Sequence, residues 1–222
     1  MMDVSVVQAA NGEEDVREVV SLAKEKHYKA VHVLPNWVPL LSELLIGSNS
    51  SLVGSSTGFP SGGSRTETKL FEARQLIADG VQEIDMMMNV GRLKSGHYTY
   101  VENEIRSLKN LTGEMTLKVI LETCELTDDE IKKSCELAIV AGADYVKTSS
   151  GWGRSGATLE VVALITSFVG DSIQVKASGG IRILDTVVKM YKMGVRRFGV
   201  NMESSVKIMS ECDALPGGKL IV

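Results

Sequence analysis

Residues 116–148 read TLKVILETCELTDDEIKKSCELAIVAGADYVKT and contain one complete folding unit. Thr116–Leu121 is an apolar, β-prone run, Asp128–Ala141 places Ile131, Cys135, Ala138 and Ile139 on one helical face, and Tyr145–Thr148 is β-prone again. Thr127-Asp128-Asp129-Glu130 is the capping-box pattern that starts a helix, and Gly142 stands where a helix stops. A strand that feeds a helix and then a second strand is a β/α/β unit with parallel strands.

Outward from this stretch the same unit repeats. Further β-prone runs are Val4–Val7, Ala30–Leu34, Ser51–Gly54, Glu83–Met88, Gln174–Ala177 and Arg197–Val200, which makes eight in all. Helical periodicity lies between them, as in Glu13–Lys26 with Val16, Val19, Val20 and Ala23 on one face, and Gly80 and Gly194 close other helical runs. The strands read more as continuous apolar stretches than as strict alternation, the pattern of parallel strands covered by helices. Eight units in 222 residues predict an α/β fold, a (β/α)₈ TIM barrel forming a single domain over residues 1–222. The alternative is an open doubly wound sheet. It calls for a glycine-rich dinucleotide loop after the first strand, and Ala9-Ala10-Asn11-Gly12 is not one.

The chain is 44% hydrophobic and 23% charged with 4 prolines, a composition that can bury a sizeable core. Its net charge of −4, from 24 Lys+Arg against 28 Asp+Glu, leaves no basic excess for a nucleic-acid backbone. Cys124, Cys135 and Cys212 are widely spaced and form no CxxC pair, so neither a disulfide framework nor a zinc site is expected. No apolar run approaches the roughly 18 residues of a membrane span, and Met1-Met2-Asp3-Val4-Ser5 is not a secretory leader. These features predict a cytoplasmic protein with no membrane and no nucleic-acid partner.

In a barrel of this kind, chemistry sits at the C-terminal ends of the strands. Three such ends carry an ionisable residue inside an apolar run: Asp85 in Glu83–Asn89, Lys147 in Ala143–Gly151 and Lys176 in Val175–Gly180. Two lysines in one barrel mouth repel and are desolvated, so one amine is expected below the usual lysine pKa of about 10.4. A neutral amine adds to a carbonyl and forms a Schiff base, an electron sink for breaking an adjacent carbon–carbon bond, with Asp85 relaying protons. The plainer reading keeps both lysines as rim side chains and Asp85 as an acceptor of backbone hydrogen bonds.

Ser149-Ser150-Gly151 and Ser178-Gly179-Gly180 follow late strands, where backbone N–H groups commonly hold phosphate. Together they point to a phosphorylated or polyhydroxylated ligand. Met86–Met88 reads as barrel packing, Cys124 as a buried structural thiol, and His27, His32 and His97 are too scattered to share a metal. Metal-dependent chemistry is not expected.

Several stretches in register carry a family resemblance. They are Phe59-Pro60 with a following glycine and Lys69, Glu83–Met86 with Asn89–Gly96, Leu117–Thr123, Val146–Gly151 and Val175–Arg182. The chain resembles the deoxyribose-phosphate aldolase family. The resemblance implies a (β/α)₈ barrel and reversible cleavage of 2-deoxyribose 5-phosphate to glyceraldehyde 3-phosphate and acetaldehyde, with no metal or cofactor. It implies that Lys147 forms the Schiff base, that Lys176 lowers its pKa and that Asp85 relays protons. Asp3 and Ser5 would join the polar network, Thr148 and Ser150 would line the pocket, and Gly151, Gly179 and Gly180 would offer backbone to phosphate. It also admits a homodimer built on exposed barrel helices.

The last strand departs from the family's Gly-Thr-Ser-Ser-Gly. Here Gly199-Val200-Asn201-Met202-Glu203-Ser204-Ser205 reads as about two residues longer, with Glu203 close to a dianion unless Ser204 and Ser205 turn inward to bind it. Trp152 and His32 also depart from the family pattern, on the pocket wall. Two further readings follow from these departures: a Schiff-base aldolase for an unphosphorylated or modified deoxy sugar, and a barrel that binds sugar phosphate without turning it over.

Overall fold

The computed structural model describes residues 1–47 and 51–218. Eight strands, β1 (Met2–Val6), β2 (Ala30–Val33), β3 (Leu52–Thr57), β4 (Glu83–Met87), β5 (Thr116–Ile120), β6 (Tyr145–Lys147), β7 (Gln174–Ser178) and β8 (Arg197–Asn201), pair in parallel and in sequence order. β8 returns to β1 and closes the barrel. All eight expected strands are present, with β1 starting earlier and β3 running longer than their sequence patterns suggest.

The helices around the barrel include α1 (Glu13–Lys26), α2 (Val38–Leu45), α3 (Thr66–Ala78), α4 (Val90–Lys94) and α5 (Tyr98–Thr112). They continue with α6 (Asp128–Val140), α7 (Leu159–Val169), α8 (Leu184–Lys192) and α9 (Met202–Asp213). No described helix is long and apolar enough to cross a membrane. α1 buries Val16, Val19, Val20 and Ala23, the face its periodicity predicts. α6 starts in the capping box read from its sequence: Glu130 N–H donates to Thr127 Oγ1 at 3.3 Å and Thr127 N–H donates to Glu130 Oε2 at 2.8 Å. Gly80, Gly142 and Gly194, just past α3, α6 and α8, have φ of +96°, +84° and +111°, where a side chain would be strained.

The strands are not uniformly apolar, and this corrects the sequence reading. Val4, Val31, Val53, Ile84, Met86, Leu117, Val119, Val146, Val175, Phe198 and Val200 belong to the core between barrel and helices. The residues that alternate with them along each strand point inward and are mostly polar or charged: Asp3, Ser5, His32, Ser56, Glu83, Asp85, Lys118, Lys147, Lys176, Ser178 and Arg197. The alternation is masked because the outward residues are β-branched or bulky and dominate each run. Each outward Val, Leu or Ile contributes roughly 1.5–3 kcal/mol on burial, which offsets the polar lumen.

A buried ion pair fixes the end of β4, the strand that carries Asp85. Lys69 of α3 donates through Nζ to Met87 O at 2.8 Å and to Glu104 Oε2 of α5 at 2.7 Å. Both side chains have zero exposure. Burial pushes the Lys69 ammonium pKa down and the Glu104 carboxyl pKa up, in each case opposed by the partner. Lys69→Met leaves Glu104 buried without its cation and is expected to cost about 3–5 kcal/mol in urea unfolding at pH 7, whereas the double variant with Glu104→Gln recovers most of the loss.

Candidate active site

The barrel lumen holds a closed ring of alternating charges. Asp85 Oδ2 meets Lys176 Nζ at 3.0 Å, and Lys176 meets Asp3 Oδ2 at 2.8 Å. Asp3 Oδ1 accepts from Arg197 Nη2 at 2.6 Å, and the same nitrogen donates to Glu83 Oε1 at 2.8 Å. Glu83 Oε1 pairs with Lys118 Nζ at 2.7 Å, and Lys118 returns to Asp85 Oδ1 at 3.0 Å. The ring therefore contains three carboxylates and three cations, supplied by β1, β4, β5, β7 and β8.

Lys147 lies outside this balance. It ends β6 opposite Lys176 of β7 and donates to Asp85 Oδ2 at 2.8 Å. A protonated Lys147 would make four cations against three anions in a buried space, whereas a neutral one leaves the ring balanced. Burial lowers its pKa most, Lys176 and Lys118 lower it further, and Asp85 opposes them. Lys176 goes the other way: burial is outweighed by Asp3, Asp85 and Glu83, and its pKa is held above that of an ordinary lysine. Burial alone would raise the Asp85 pKa, but Lys118, Lys147 and Lys176 hold it well below the usual carboxylate range. Of the expected lysine pair, one is thus pushed toward the neutral amine and the other held as a cation.

Lys147 faces a narrow cavity lined by Asp3, Ser5, Val7, His32, Ser56, Phe59, Ser150, Lys176, Ser178 and Gly199. Phe59, which lines it, meets Trp152 edge to face at 5.9 Å, and Trp152 Nε1–H donates to Val7 O at 2.9 Å. Next to it is a cavity of about 100 Å³ lined by Ser5, Gln8, Ser150, Gly151, Gly179, Gly180, Arg182 and Asn201 among others. Gly179 and Gly180, which line that space, have φ of +85° and +76°, a left-handed backbone that glycine adopts without strain. The loop after β6 packs hard against them, since a Cβ at Gly156 would lie 2.2 Å from Gly179 O. A larger recess of about 640 Å³, lined by Lys29, Ser42, Leu52 and Gln82 among others, sits at the opposite end of the barrel, where no strand-end chemistry is expected.

The structure therefore brings together Asp3, Ser5, Asp85, Lys147, Ser150, Gly151, Lys176, Gly179 and Gly180. Thr148 is placed differently. It is fully buried, donating through Oγ1 to Ser178 O and accepting from Ser178 N–H, so it joins β6 to β7, and Ser178 lines the cavity instead. Ser204 and Ser205 are also placed differently, because β8 runs to Asn201 and α9 begins at Met202, so the chain has no longer loop here. Ser205 Oγ donates back to Met202 O at 2.6 Å, and Ser204 Oγ accepts from Arg182 Nη1 at 3.2 Å. Glu203 is exposed on α9 and lines neither cavity. Cys124 is half-buried rather than buried, with Sγ 3.9 Å from Glu122 Oε1.

Sequence reasoning missed Lys118, Glu83, Arg197, Arg182 and Asn201. Lys118 and Arg197 were visible as lone cations within apolar strands, and Glu83 sits two residues before Asp85. Asp3, His32 and Glu83 also offer ligand atoms within 4.8 Å of one another. Both carboxylates of that trio are already held by Lys118, Lys176 and Arg197, so the arrangement is one of ion pairs.

A parallel barrel whose lumen presents, among fixed charges, one lysine whose pKa is pushed down defines the class of lysine-dependent carbonyl enzymes. Residues 2–201 match the DeoC/LacD family aldolase pattern. A deoxyribose-phosphate aldolase of Rhizobium meliloti is 47% identical over 220 residues, covering 99% of this chain and 89% of that protein. One from Bacillus cytotoxicus is 41% identical, with 95% of each chain covered. Among solved structures, QR15, an aldolase, superposes with a TM-score of 0.88 at 38% identity, covering 94% of this chain and 92% of that one. The deoxyribose phosphate aldolase of Aeropyrum pernix, described as tetrameric, gives 0.86 at 28% identity, with 97% and 90% covered. The chain belongs to the DeoC/LacD aldolase family.

Replacing Lys176 by Met removes a cation that lowers the Lys147 pKa. The amine is then expected to react only at higher pH: the pH profile for reductive capture of Lys147 by an aldehyde should move up by about one unit, roughly a tenfold loss at pH 7.

Proposed function

We propose that this protein is a class I aldolase that reversibly cleaves 2-deoxy-D-ribose 5-phosphate to D-glyceraldehyde 3-phosphate and acetaldehyde. The observation that carries the reading is Lys147, the supernumerary amine of a charge-balanced lumen, facing a cavity beside the Gly179-Gly180 loop. The amine adds to the aldehyde of the open-chain sugar, water leaves, and the resulting iminium draws electrons from the adjacent carbon–carbon bond. That bond breaks as the neighbouring hydroxyl loses its proton. The remaining enamine is protonated and hydrolysed to acetaldehyde, which restores Lys147. Lys176 holds the charge that favours the neutral amine of Lys147, and Asp85 orients both and relays protons as the carbinolamine loses water.

The substrate phosphate fits the second cavity, where Gly151, Gly179 and Gly180 offer backbone and Arg182 supplies the opposite charge. The case for an unphosphorylated substrate rested on Glu203, which faces solvent. A purely binding role leaves the unbalanced lysine without a purpose. A homodimer and a cytoplasmic location belong to the same proposal. Phe168 and Val206, exposed on α7 and α9, support the first, and the free thiols of Cys124 and Cys135 support the second.

Borohydride with acetaldehyde is expected to leave an ethyl group on Lys147, read by peptide mass mapping. Lys147→Ala should remain folded and lose cleavage by at least about 10⁴-fold; substantial turnover by that variant overturns the mechanism. Arg182→Ala should raise KM for the phosphorylated sugar about tenfold or more and leave deoxyribose itself unaffected, in steady-state kinetics.

A further inference from the structure

Among the titratable side chains that line the reaction cavity, Asp3, Lys147 and Lys176 have tasks in the charge balance, and His32 has none. It points inward from β2 and is 4% exposed. Its ring lies flat across β3 in space that only a glycine leaves: a Cβ on Gly54, its cross-strand partner, would come 2.6 Å from the imidazole. Nε2 is 2.9 Å from Glu83 Oε1. That carboxylate is pinned ionised by Lys118 and Arg197 and can only accept, so the hydrogen between them sits on Nε2. Nδ1 is then left with a free lone pair. It is buried without a hydrogen-bond partner among the described residues, 4.0 Å from Asp85 Oδ2, the oxygen that also holds Lys147.

Nδ1 and Asp85 Oδ2 are two acceptors 4.0 Å apart beside the reacting amine, and His32 lines the reaction cavity. The reaction needs such an acceptor when the carbon–carbon bond breaks. Asp85 carries the ammonium groups of Lys118 and Lys176 as well as the Lys147 nitrogen, and a carboxylate so loaded is a weak base. His32 is an uncharged base in the same place. Titratable groups face it from β1 (Asp3), β4 (Glu83 and Asp85), β5 (Lys118), β6 (Lys147) and β7 (Lys176), while β3 presents none. Burial, with help from Lys176 and Lys118 and against Asp85 and Glu83, keeps it neutral at pH 7.

We propose that His32 is the catalytic base of carbon–carbon cleavage, its Nδ1 taking the proton of the hydroxyl on the carbon that becomes the released aldehyde. This rests on the Schiff-base reading. The O–H bond breaks and its proton goes to Nδ1. Its electrons form the new carbonyl, and those of the carbon–carbon bond move into the enamine and neutralise the iminium on Lys147. The imidazolium, held between Asp85 and Glu83, then returns the proton to the terminal enamine carbon.

The test is His32→Gln, whose amide can still donate toward Glu83 but which has no basic lone pair. Expected are a kcat about 100-fold lower, the scale of a lost general base, a KM within threefold, and undiminished acetaldehyde–borohydride capture of Lys147. A kcat within threefold of the parent overturns the proposal. So does a parallel loss of capture, which would make His32 a mere support for Asp85 and Lys147. Absence of capture in the unsubstituted enzyme would instead remove the Schiff-base reading itself. Nitrogen-15 NMR of the unsubstituted enzyme needs no variant to fold: at neutral pH Nε2 should carry the hydrogen and Nδ1 none, and the reverse tautomer also overturns the proposal.

Discussion

Everything in the lumen depends on one constraint: charges removed from water must balance. Asp3, Glu83 and Asp85 face Lys118, Lys176 and Arg197 in an alternating ring, every contact at 3.0 Å or less. Isolated buried ions are costly, and pairing reduces that cost only where every partner is present. The ring uses up its own cations, so Lys147 finds Asp85 already engaged and has reason to shed its proton. Nucleophilicity here is a by-product of electrostatic bookkeeping over residues far apart in sequence, not of any single neighbour.

The overall fold was legible because it rests on local signals. The β/α/β unit at Thr116–Lys147, the Thr127 capping box and the glycines that close the helices each fix an element independently, and eight repeats of that unit can close a barrel. The alternation inside the strands was harder to see. Val-Lys-Thr and Val-Lys-Ala read as apolar runs with an intruder, whereas they are two-sided strands whose charged side faces a polar lumen. A reader expecting covered parallel strands to be apolar on both faces finds Lys147, Lys176 and Asp85 as exceptions and passes over Lys118, Glu83 and Arg197, which obey the same rule.

Around the phosphate-sized cavity, the legible part was the backbone. Gly151, Gly179 and Gly180 were marked by their positions after late strands, and their cavity lies where those positions put it. Ser204 and Ser205 were misplaced for a geometric reason: a strand that runs on to Asn201 puts both serines inside the first turn of α9, where the Ser205 hydroxyl donates back to Met202 O and the Ser204 hydroxyl accepts from Arg182. Thr148 shows the same limit, since a hydroxyl that bridges β6 and β7 looks identical in sequence to one that faces a ligand. Periodicity says which side of a strand a residue faces, but not whether its neighbours have already claimed it.

The ring also bears on how the barrel comes to exist. Its Asp3–Arg197 contact joins residues 194 apart in the chain, across the seam where β8 meets β1. Until that seam is zipped, Asp3 and Arg197 face water, and the interior charges lack a complete circuit. Desolvating a half-built lumen would therefore be penalised, while desolvating a closed one is not. Loss of water from the interior and docking of the last strand on the first are thus coupled into one event, making the seam a checkpoint at which only the correctly ordered, fully wound chain becomes dry.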